Sequence, residues 1–388
     1  MTGAMRTNGF KQTELGEVLD FFNGKAIKPD GDGDYPAYGS NGPIGHSPGF
    51  THEDGIIIGR VGAYCGSIAY CSGKFWASDN TIVAKPKQAT DDIRYFSYLL
   101  RDLKLNSYAG GAAQPLVTHT VLKRVPAFVA QWPVQKKISA ALCAYDDLIE
   151  NSTQRIQILE RMAQALYREW FVGFRFPGHK KVKLVDSPLG RIPQGWKPGT
   201  LGDIAGEVRR GVNPDEVEPD TPYIGLEHMP RKSIALSDWG MAKEVRSAKL
   251  AFKKGEILFG KIRPYFHKVG VAAVDGLCST DAIVIVPKKP EYFALVLACV
   301  SSEPFVSHAT QTSQGTKMPR ANWAVLTKYP LPVPSAPLLS VFSEYVDDAV
   351  GLIQNLLFKN RNLRRTRDLL LPKLISGALS VEGMEVVA

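Results

Sequence analysis

The stretch ISAALCAYDDLIENSTQRIQILERMAQALYREW, residues 138–170, decides the fold, because its mainly apolar positions recur with alternating spacings of four and three. This spacing places them along one seam of a helix, as in the a and d positions of a coiled coil. Adding 204 to each position gives a second seam in the same register, within residues 342–374. The apolar members of the two predicted seams are Ile138, Leu142, Ile149, Ile156, Leu159, Leu166, Phe342, Val346, Ile353, Leu356, Leu363 and Leu370.

Two interpretations fit these seams: amphipathic helices packed on a globular core, or two long helices paired with each other. Two copies in one register favour pairing. The polar residues Asn360 and Arg367 would face Ile156 and Ala163 only in a parallel pair, so the sequence alone leaves the direction open. Antiparallel helices of this length, about 50 Å, would hold the flanking domains apart. Such a spacer suits two readers of two short DNA sites separated by a gap.

The remainder of the chain repeats as well. GIIIGRVGAYCGSIAY (55–70) matches GEILFGKIRPYFHKVG (255–270), and from Gln114 and Met318 onward the offset is constant at 204. In both copies, short β-branched and aromatic runs are broken by Gly, Pro and Asn, which is typical of strands. The sequence therefore predicts an α+β fold, with two strand-rich α/β domains separated by two long helices and related by an internal pseudo-two-fold repeat. The predicted boundaries are 1–131 for the first domain, 132–175 for the first spacer helix, 176–195 for a linker, 196–334 for the second domain, 335–377 for the second spacer helix and 378–388 for a tail.

Composition points to a polyanionic partner. The 388 residues carry a net charge of +9, with 22 basic against 18 acidic residues in 1–190 and 25 against 20 in 191–388. A basic excess on both halves suits nucleic acid on both. The five cysteines are scattered, and neither a signal peptide nor a membrane-spanning run is evident, so we expect a cytoplasmic protein.

Motifs for catalysis are missing from the sequence. It contains no Gly-Lys-Ser/Thr of a P-loop, no Glu-x-Lys of a common nuclease core and no Asn/Asp-Pro-Pro-aromatic segment of an amino-methyltransferase. The run Asp30, Asp32, Asp34 suggests a calcium loop, but Tyr35 and Asn41 stand where Gly and Glu are needed, so a solvated turn is favoured. The set His46, His52, Cys65 and Cys71 matches no closed zinc spacing. We predict no catalytic residue and no metal site.

The first candidate reading surface is the basic and aromatic run after a predicted strand in the second copy. We expect Lys261, Arg263, Tyr265, His267 and Lys268 on one exposed loop, able to hold phosphates and reach base edges, although a solvated strand face is the alternative. The corresponding residues of the first copy are Arg60, Tyr64 and, further on, Lys74. Because they differ, the first copy is expected to read a different sequence.

The second candidate surface is a Gly-rich loop in each copy, residues 110–114 and 314–320. Glycine lets backbone N–H groups approach phosphate, while Gln and Arg can pair with adenine and guanine; a plain turn is the alternative. The candidate residues are Gln114, Gln314, Thr316, Lys317 and Arg320. His119, His228 and His308 are interpreted as structural.

These residues resemble one known family, the specificity (S) subunit of Type I restriction-modification systems. The segments that carry the resemblance are LYREWFVGFRFPGH (166–179), GWKPGTLGDI (195–204), ILFGKIRPYFHKVG (257–270), GTKMPRANWAVL (315–326), YPLPVPS (329–335) and LLLPKLISG (369–377). Each motif is loose alone, but their order is specific and, with the repeat, spans nearly the whole chain. In the first copy, the Lys-Ile-Arg-Pro element appears only as Gly59-Arg60-Val61-Gly62, so this copy departs from the family's pattern.

The resemblance implies two target recognition domains, each reading half of a split DNA site, with the helices packed antiparallel as spacer and docking surface. The implied partners are double-stranded DNA, two modification (methyltransferase) subunits that bind S-adenosylmethionine, and restriction (motor-nuclease) subunits that use ATP and Mg²⁺. No cofactor is expected on this chain. Two alternatives remain: a stand-alone DNA-acting enzyme with a diffuse metal-dependent site, and a coiled-coil adaptor without DNA affinity.

Overall fold

The computed structural model describes residues 5–6, 9–27, 33–111, 115–381 and 383. The chain divides into two compact units: unit 1 comprises Met1–Leu148 and Leu363–Ala388, and unit 2 comprises Ile149–Asn362. Both contain helices and strands, so the mixed class predicted from the sequence is confirmed.

Unit 1 is built on a six-stranded sheet with the order β3-β8-β6-β7-β4-β5 and a three-stranded sheet with the order β1-β2-β9. Its strands are β1 Met5–Arg6, β2 Phe10–Glu14, β3 Leu19–Asn23, β4 Tyr35–Gly39, β5 Gly42–Ser47, β6 His52–Gly59, β7 Ile68–Ala77, β8 Thr81–Pro86 and β9 Pro126–Ala130. Its helices are α1 Leu15–Val18, α2 Ile93–Asp102 and α3 His119–Lys123, followed by the start of α4 Trp132–Tyr167.

Unit 2 contains sheets with the orders β13-β21-β18-β19, β14-β17-β20-β15-β16, β12-β22 and β10-β11. Its strands are β10 Leu184–Ser187, β11 Gly190–Pro193, β12 Lys197–Thr200, β13 Ala205–Val208, β14 Arg210–Val212, β15 Pro222–Ile224, β16 Gly240–Met241, β17 Lys249–Phe252, β18 Ile257–Gly260, β19 Val269–Val271, β20 Gly276–Cys278, β21 Ala282–Pro287 and β22 Pro330–Val333. Its helices are α5 Leu201–Ile204, α6 Phe293–Val300, α7 Glu303–Gln311 and α8 Trp323–Leu326, followed by the start of α9 Ala336–Ile375.

The central strands form where the apolar runs predict them. Ile56 to Ile58 lie in β6, which pairs antiparallel with both β7 and β8, and all three side chains are buried. A strand with a neighbour on each side and both faces covered has no need of polar alternation. In unit 2, β18 likewise pairs with β19 and β21. The two sheets share one antiparallel arrangement: β8 lies between β3 and β6 in unit 1, and β21 lies between β13 and β18 in unit 2.

The long helices α4 and α9 contact each other within each unit. In unit 2, Asn360 Nδ2 donates to Thr153 Oγ1 at 3.3 Å, and the Trp170 and Phe342 rings lie 5.9 Å apart between centroids. Because residue numbers fall along α9 as they rise along α4 and the π-helical turn Arg168–Val172 that extends it, the two elements run antiparallel in unit 2. The direction left open by the sequence is therefore observed there.

The predicted seam positions differ in their burial. Eight of them are buried: Ile138, Leu142, Ile149, Ile156, Phe342, Val346, Ile353 and Leu356. The other four, Leu159, Leu166, Leu363 and Leu370, are half-buried. Most of the predicted seam positions therefore lie in the interior of their units.

Among the described residues, no single helix is long and apolar enough to cross a membrane. One pair of helical segments, Pro290–Val300 and Glu303–Gln311, has the length and composition of a membrane span when the two are taken together, but it is bent by 68°.

Candidate nucleic-acid interface

The first predicted reading loop of unit 2 leaves the sheet at the end of β18. It makes a 3-10 turn, Pro264–Phe266, between Arg263 and His267, whose φ angles of 47° and 52° are left-handed. Residues other than glycine seldom adopt this conformation, and it recurs where a backbone is held for function. The turn presents Tyr265 with 51% of its surface exposed.

The structure joins this loop to the second predicted loop, residues 314–320. Arg263 N–H donates to Pro319 O at 2.8 Å, and Ala321 N–H donates to Lys261 O at 2.9 Å. The second loop closes on itself through two hydrogen bonds between the backbones of Gln314 and Arg320, at 3.0 and 2.8 Å. The two candidate surfaces of unit 2 are therefore one surface.

Basic side chains line this joint surface with few acidic partners. The Arg320 guanidinium lies 3.5 Å from the Asp281 carboxylate, and Arg263 Nη2 donates to Lys317 O at 3.3 Å. Arg263 Nε is buried and has no hydrogen-bond partner among the described residues. Lys261 forms no ion pair among those residues either. The candidates Gln314, Thr316 and Lys317 are exposed.

Two residues of the predicted loop face inward instead of outward. His267 is 6% exposed, with Nε2 2.9 Å from Ser301 O. The ammonium of Lys268 donates to Leu226 O, and burial together with the nearby charge of Arg231 lowers its pKa. The expectation of an exposed His267 was wrong, because the turn between α6 and α7 supplies it with a buried acceptor. Lys268 is half-buried and its amine already has an acceptor.

In unit 1 the corresponding loops are joined by the same hydrogen bonds. Val117 N–H donates to Arg60 O at 3.0 Å, and Gly62 N–H donates to Pro115 O at 3.1 Å. Gly62 has a left-handed φ of 77°, and its counterpart in unit 2, Arg263, has a left-handed φ of 47°. Leu116 occupies the place that Arg320 has in unit 2. The backbone framework is shared, whereas the side chains it presents are different.

The remaining candidates of unit 1 are not all together. Tyr64 is 57% exposed in the turn that follows Arg60. Lys74 pairs with Glu53 near the far end of the β6–β7 pair, about 20 Å from Arg60 along the strand, where its ammonium lies 4.7 Å from the Phe50 ring centroid. Gln114 lies outside the described residues, as do Asp30 and Asp32.

In the part of the chain that the structure describes, no group of three or more His, Cys, Asp or Glu side chains is placed to hold a metal ion.

Sequence reasoning missed Arg231 and Phe266, which also belong to the surface of unit 2. The guanidinium carbon of Arg231 lies 4.2 Å from the centroid of the Phe266 ring. Phe266 could have been predicted from the sequence, because it directly follows the candidate Tyr265. Arg231 is far from the loop in sequence and carries no motif.

A hydrogen-bonded framework that presents basic and aromatic side chains on joined loops is the kind of surface that a nucleic-acid-binding module uses. Residues 8–161 match the family model described as the Type I restriction modification DNA specificity domain. Over these residues, the resemblance identified from the sequence is confirmed.

Relatives extend the similarity beyond the first unit. The chain is 27% identical over 309 residues to the specificity subunit of the Type I restriction enzyme MjaIX of Methanocaldococcus jannaschii, covering 75% of this chain and 70% of the relative. It is 24% identical over 407 positions to the EcoDI specificity subunit of Escherichia coli, covering 96% and 89%. The crystal structure of a Type I restriction-modification S subunit from M. genitalium superposes with a TM-score of 0.61 at 16% identity, over 97% of this chain and 99% of that one. This last likeness concerns the fold.

Proposed function

We propose that this chain is the DNA specificity subunit of a Type I restriction-modification complex, and that each unit reads one half of a bipartite target. The observation that carries the proposal is the shared framework of the two loop surfaces. The bonds from Gly62 to Pro115 and from Arg263 to Pro319 are equivalent, while the side chains displayed around them differ. One scaffold used twice with different side chains suits two half-sites of different sequence.

The long helices are proposed as an antiparallel coiled-coil spacer that sets the gap between the half-sites. The contacts Thr153–Asn360 and Trp170–Phe342 support this within unit 2. In this proposal the domains are those predicted from the sequence, with target recognition domains at 1–131 and 196–334 and spacer helices at 132–175 and 335–377. The two halves would then be an internal repeat.

Catalysis is assigned to partner subunits. Two modification subunits would bind S-adenosylmethionine and methylate DNA, and restriction subunits would use ATP and Mg²⁺. This chain would bind none of these cofactors, and it would act in the cytoplasm, where its DNA lies. The matching family model is described as a DNA specificity domain, a description that names recognition and no catalytic activity, and this supports the division of labour.

Methylome sequencing tests the proposal. A host that expresses this chain with its modification subunit should acquire methylation at one bipartite motif, and a host that expresses the modification subunit alone should not. Lys261→Ala with Arg263→Ala should relax one half of the motif and leave the other half intact. Methylation of a single uninterrupted motif, or methylation by this chain alone, would contradict the proposal.

A further inference from the structure

A segment that precedes β16 lies beside the reading surface of unit 2. This segment, residues 231–235, is called the bridging segment here. Lys232 N–H donates to His267 O at 2.8 Å, and Val271 N–H donates to Ile234 O at 3.0 Å. The bridging segment therefore runs along the loop of residues 261–268 and along β19, which follows it.

Arg231 extends the positive surface at the outer end of the bridging segment. Its side chain is exposed, and its guanidinium carbon lies 4.2 Å from the Phe266 ring centroid, while that of Arg263 lies 6.0 Å from the same centroid. Arg231 forms no ion pair among the described residues, whereas the neighbouring Lys232 pairs with Glu303 at 2.8 Å. A planar guanidinium held on a ring, with its charge uncompensated, suits a phosphate oxygen.

Glu160 on α4 fixes the inner end of the bridging segment. A single carboxylate oxygen, Oε1, accepts hydrogen bonds from Ser233 Oγ at 2.6 Å, Ile234 N at 2.8 Å and Ala235 N at 3.2 Å. Charge-assisted hydrogen bonds of this kind are stronger than neutral ones. The inner end of the bridging segment is thereby tied to a long helix.

The backbone where the bridging segment meets the loop is held in an uncommon conformation. Lys232, Arg263 and His267 all have left-handed φ angles, of 57°, 47° and 52°. Such residues persist only where their surroundings determine them. The three bonds to Glu160 begin directly after Lys232, so they are part of what holds Arg231 in place.

We propose that the bridging segment is a further DNA-contacting element of unit 2, in which Arg231 binds a backbone phosphate and Glu160 positions it. The inference rests on the proposed function, because it requires that unit 2 binds DNA. A phosphate contact fixes orientation without selecting bases, so Arg231 contributes affinity for all sequences.

Salt titrations of the full-length chain on random-sequence DNA duplexes test the role of Arg231. Arg231→Ala should weaken binding and lower the slope of log affinity against log salt by about one. Arg231→Lys, which keeps the charge but cannot stack in the same way, should retain the slope with weaker binding. The matched control is Arg191→Ala, which removes an exposed arginine from the separate β10–β11 hairpin and should leave the slope unchanged.

A double-mutant cycle tests the role of Glu160. If Glu160 acts through Arg231, then Glu160→Ala weakens DNA binding, and the double variant binds no more weakly than Arg231→Ala alone. Glu160→Gln keeps an acceptor oxygen and should lose less. Additive losses, or an Arg231→Ala slope equal to that of the wild type, would overturn the inference. If Lys261→Ala weakens binding and Arg231→Ala does not, this inference alone fails; if the folded wild type binds no duplex, the proposed function fails.

Discussion

Asp146 on α4 and Arg367 on α9 form an ion pair in unit 1, with 2.5 Å between Oδ1 and Nη1. The other oxygen of Asp146 accepts a hydrogen bond from the Tyr98 hydroxyl at 2.5 Å and lies 3.8 Å from both Arg94 and Arg101. Burial by itself would raise the pKa of Asp146, but these hydrogen bonds and charges outweigh it, so the pKa is lowered. One carboxylate therefore lies beside three guanidiniums, of which that of Arg367 also pairs with Asp368 at 2.8 Å.

This arrangement predicts unequal losses when either partner is removed. Asp146→Ala leaves Arg94 and Arg101 without their shared carboxylate, while Arg367 keeps Asp368 at 2.8 Å, and should lower the free energy of unfolding by about 2–4 kcal/mol. Arg367→Ala leaves Asp146 with its other partners and should cost about 1–2 kcal/mol. Urea unfolding of the full chain measures both. Arg365→Ala, which removes an exposed arginine from α9, should change stability by less than about 0.5 kcal/mol. Equal losses for Asp146 and Arg367 would refute the prediction.

The pH dependence of stability should reveal Glu160. Burial raises the pKa of this carboxyl, despite hydrogen bonds from Ser233, Ile234 and Ala235 that lower it. A raised pKa means that the folded state binds the proton more tightly, so the group favours folding most at low pH and loses this contribution as pH rises. The stability of the wild type relative to Glu160→Gln should therefore fall as pH rises from about 4 through the raised pKa, and then level off. A difference that is independent of pH in thermal unfolding would contradict this.

Local pattern predicts much of this molecule, and tertiary contacts supply the rest. The apolar runs predict β6 and β18 because burial on both faces leaves a signal in the sequence itself. The bond between Arg263 and Pro319 joins residues from separate loops through their backbones, and no side-chain pattern records such a bond. The buried ring of His267 lies against the carbonyl of Ser301, which belongs to the distant turn between α6 and α7.

The polar residue Asn360 in the seam of α9 is expected to trade stability for register. It is 3% exposed, and its Oδ1 has no hydrogen-bond partner among the described residues, while Nδ2 donates to Thr153. Replacing it by an apolar side chain removes an unsatisfied buried acceptor, so Asn360→Leu combined with Thr153→Val should raise the thermal midpoint. Thr153→Val alone strands the amide and should cost about 1–2 kcal/mol.

A second measurement on Asn360 and Thr153 concerns the register of the two helices. A buried Asn at one seam position disfavours shifted pairings of two helices, because a shift leaves the amide against apolar side chains. In methylome sequencing, the double variant should therefore accept a wider range of gaps between half-sites than the wild type. A raised midpoint with an unchanged gap would show that Asn360 does not set the register.

The length of α4 and α9 should set the gap in the DNA target. Inserting one heptad into each helix, after Leu148 and after Asn362, preserves the alternation of four and three and lengthens each helix by about 10 Å. Because one base pair spans about 3.4 Å, the methylated motif should gain about three base pairs in its gap while both half-sites stay the same. The same seven residues inserted between Ser187 and Gly190, in the β10–β11 turn, should leave the gap unchanged. If the helix insertion altered a half-site instead, the helices would be part of the reading surface, because a spacer can change only the distance between two unchanged readers.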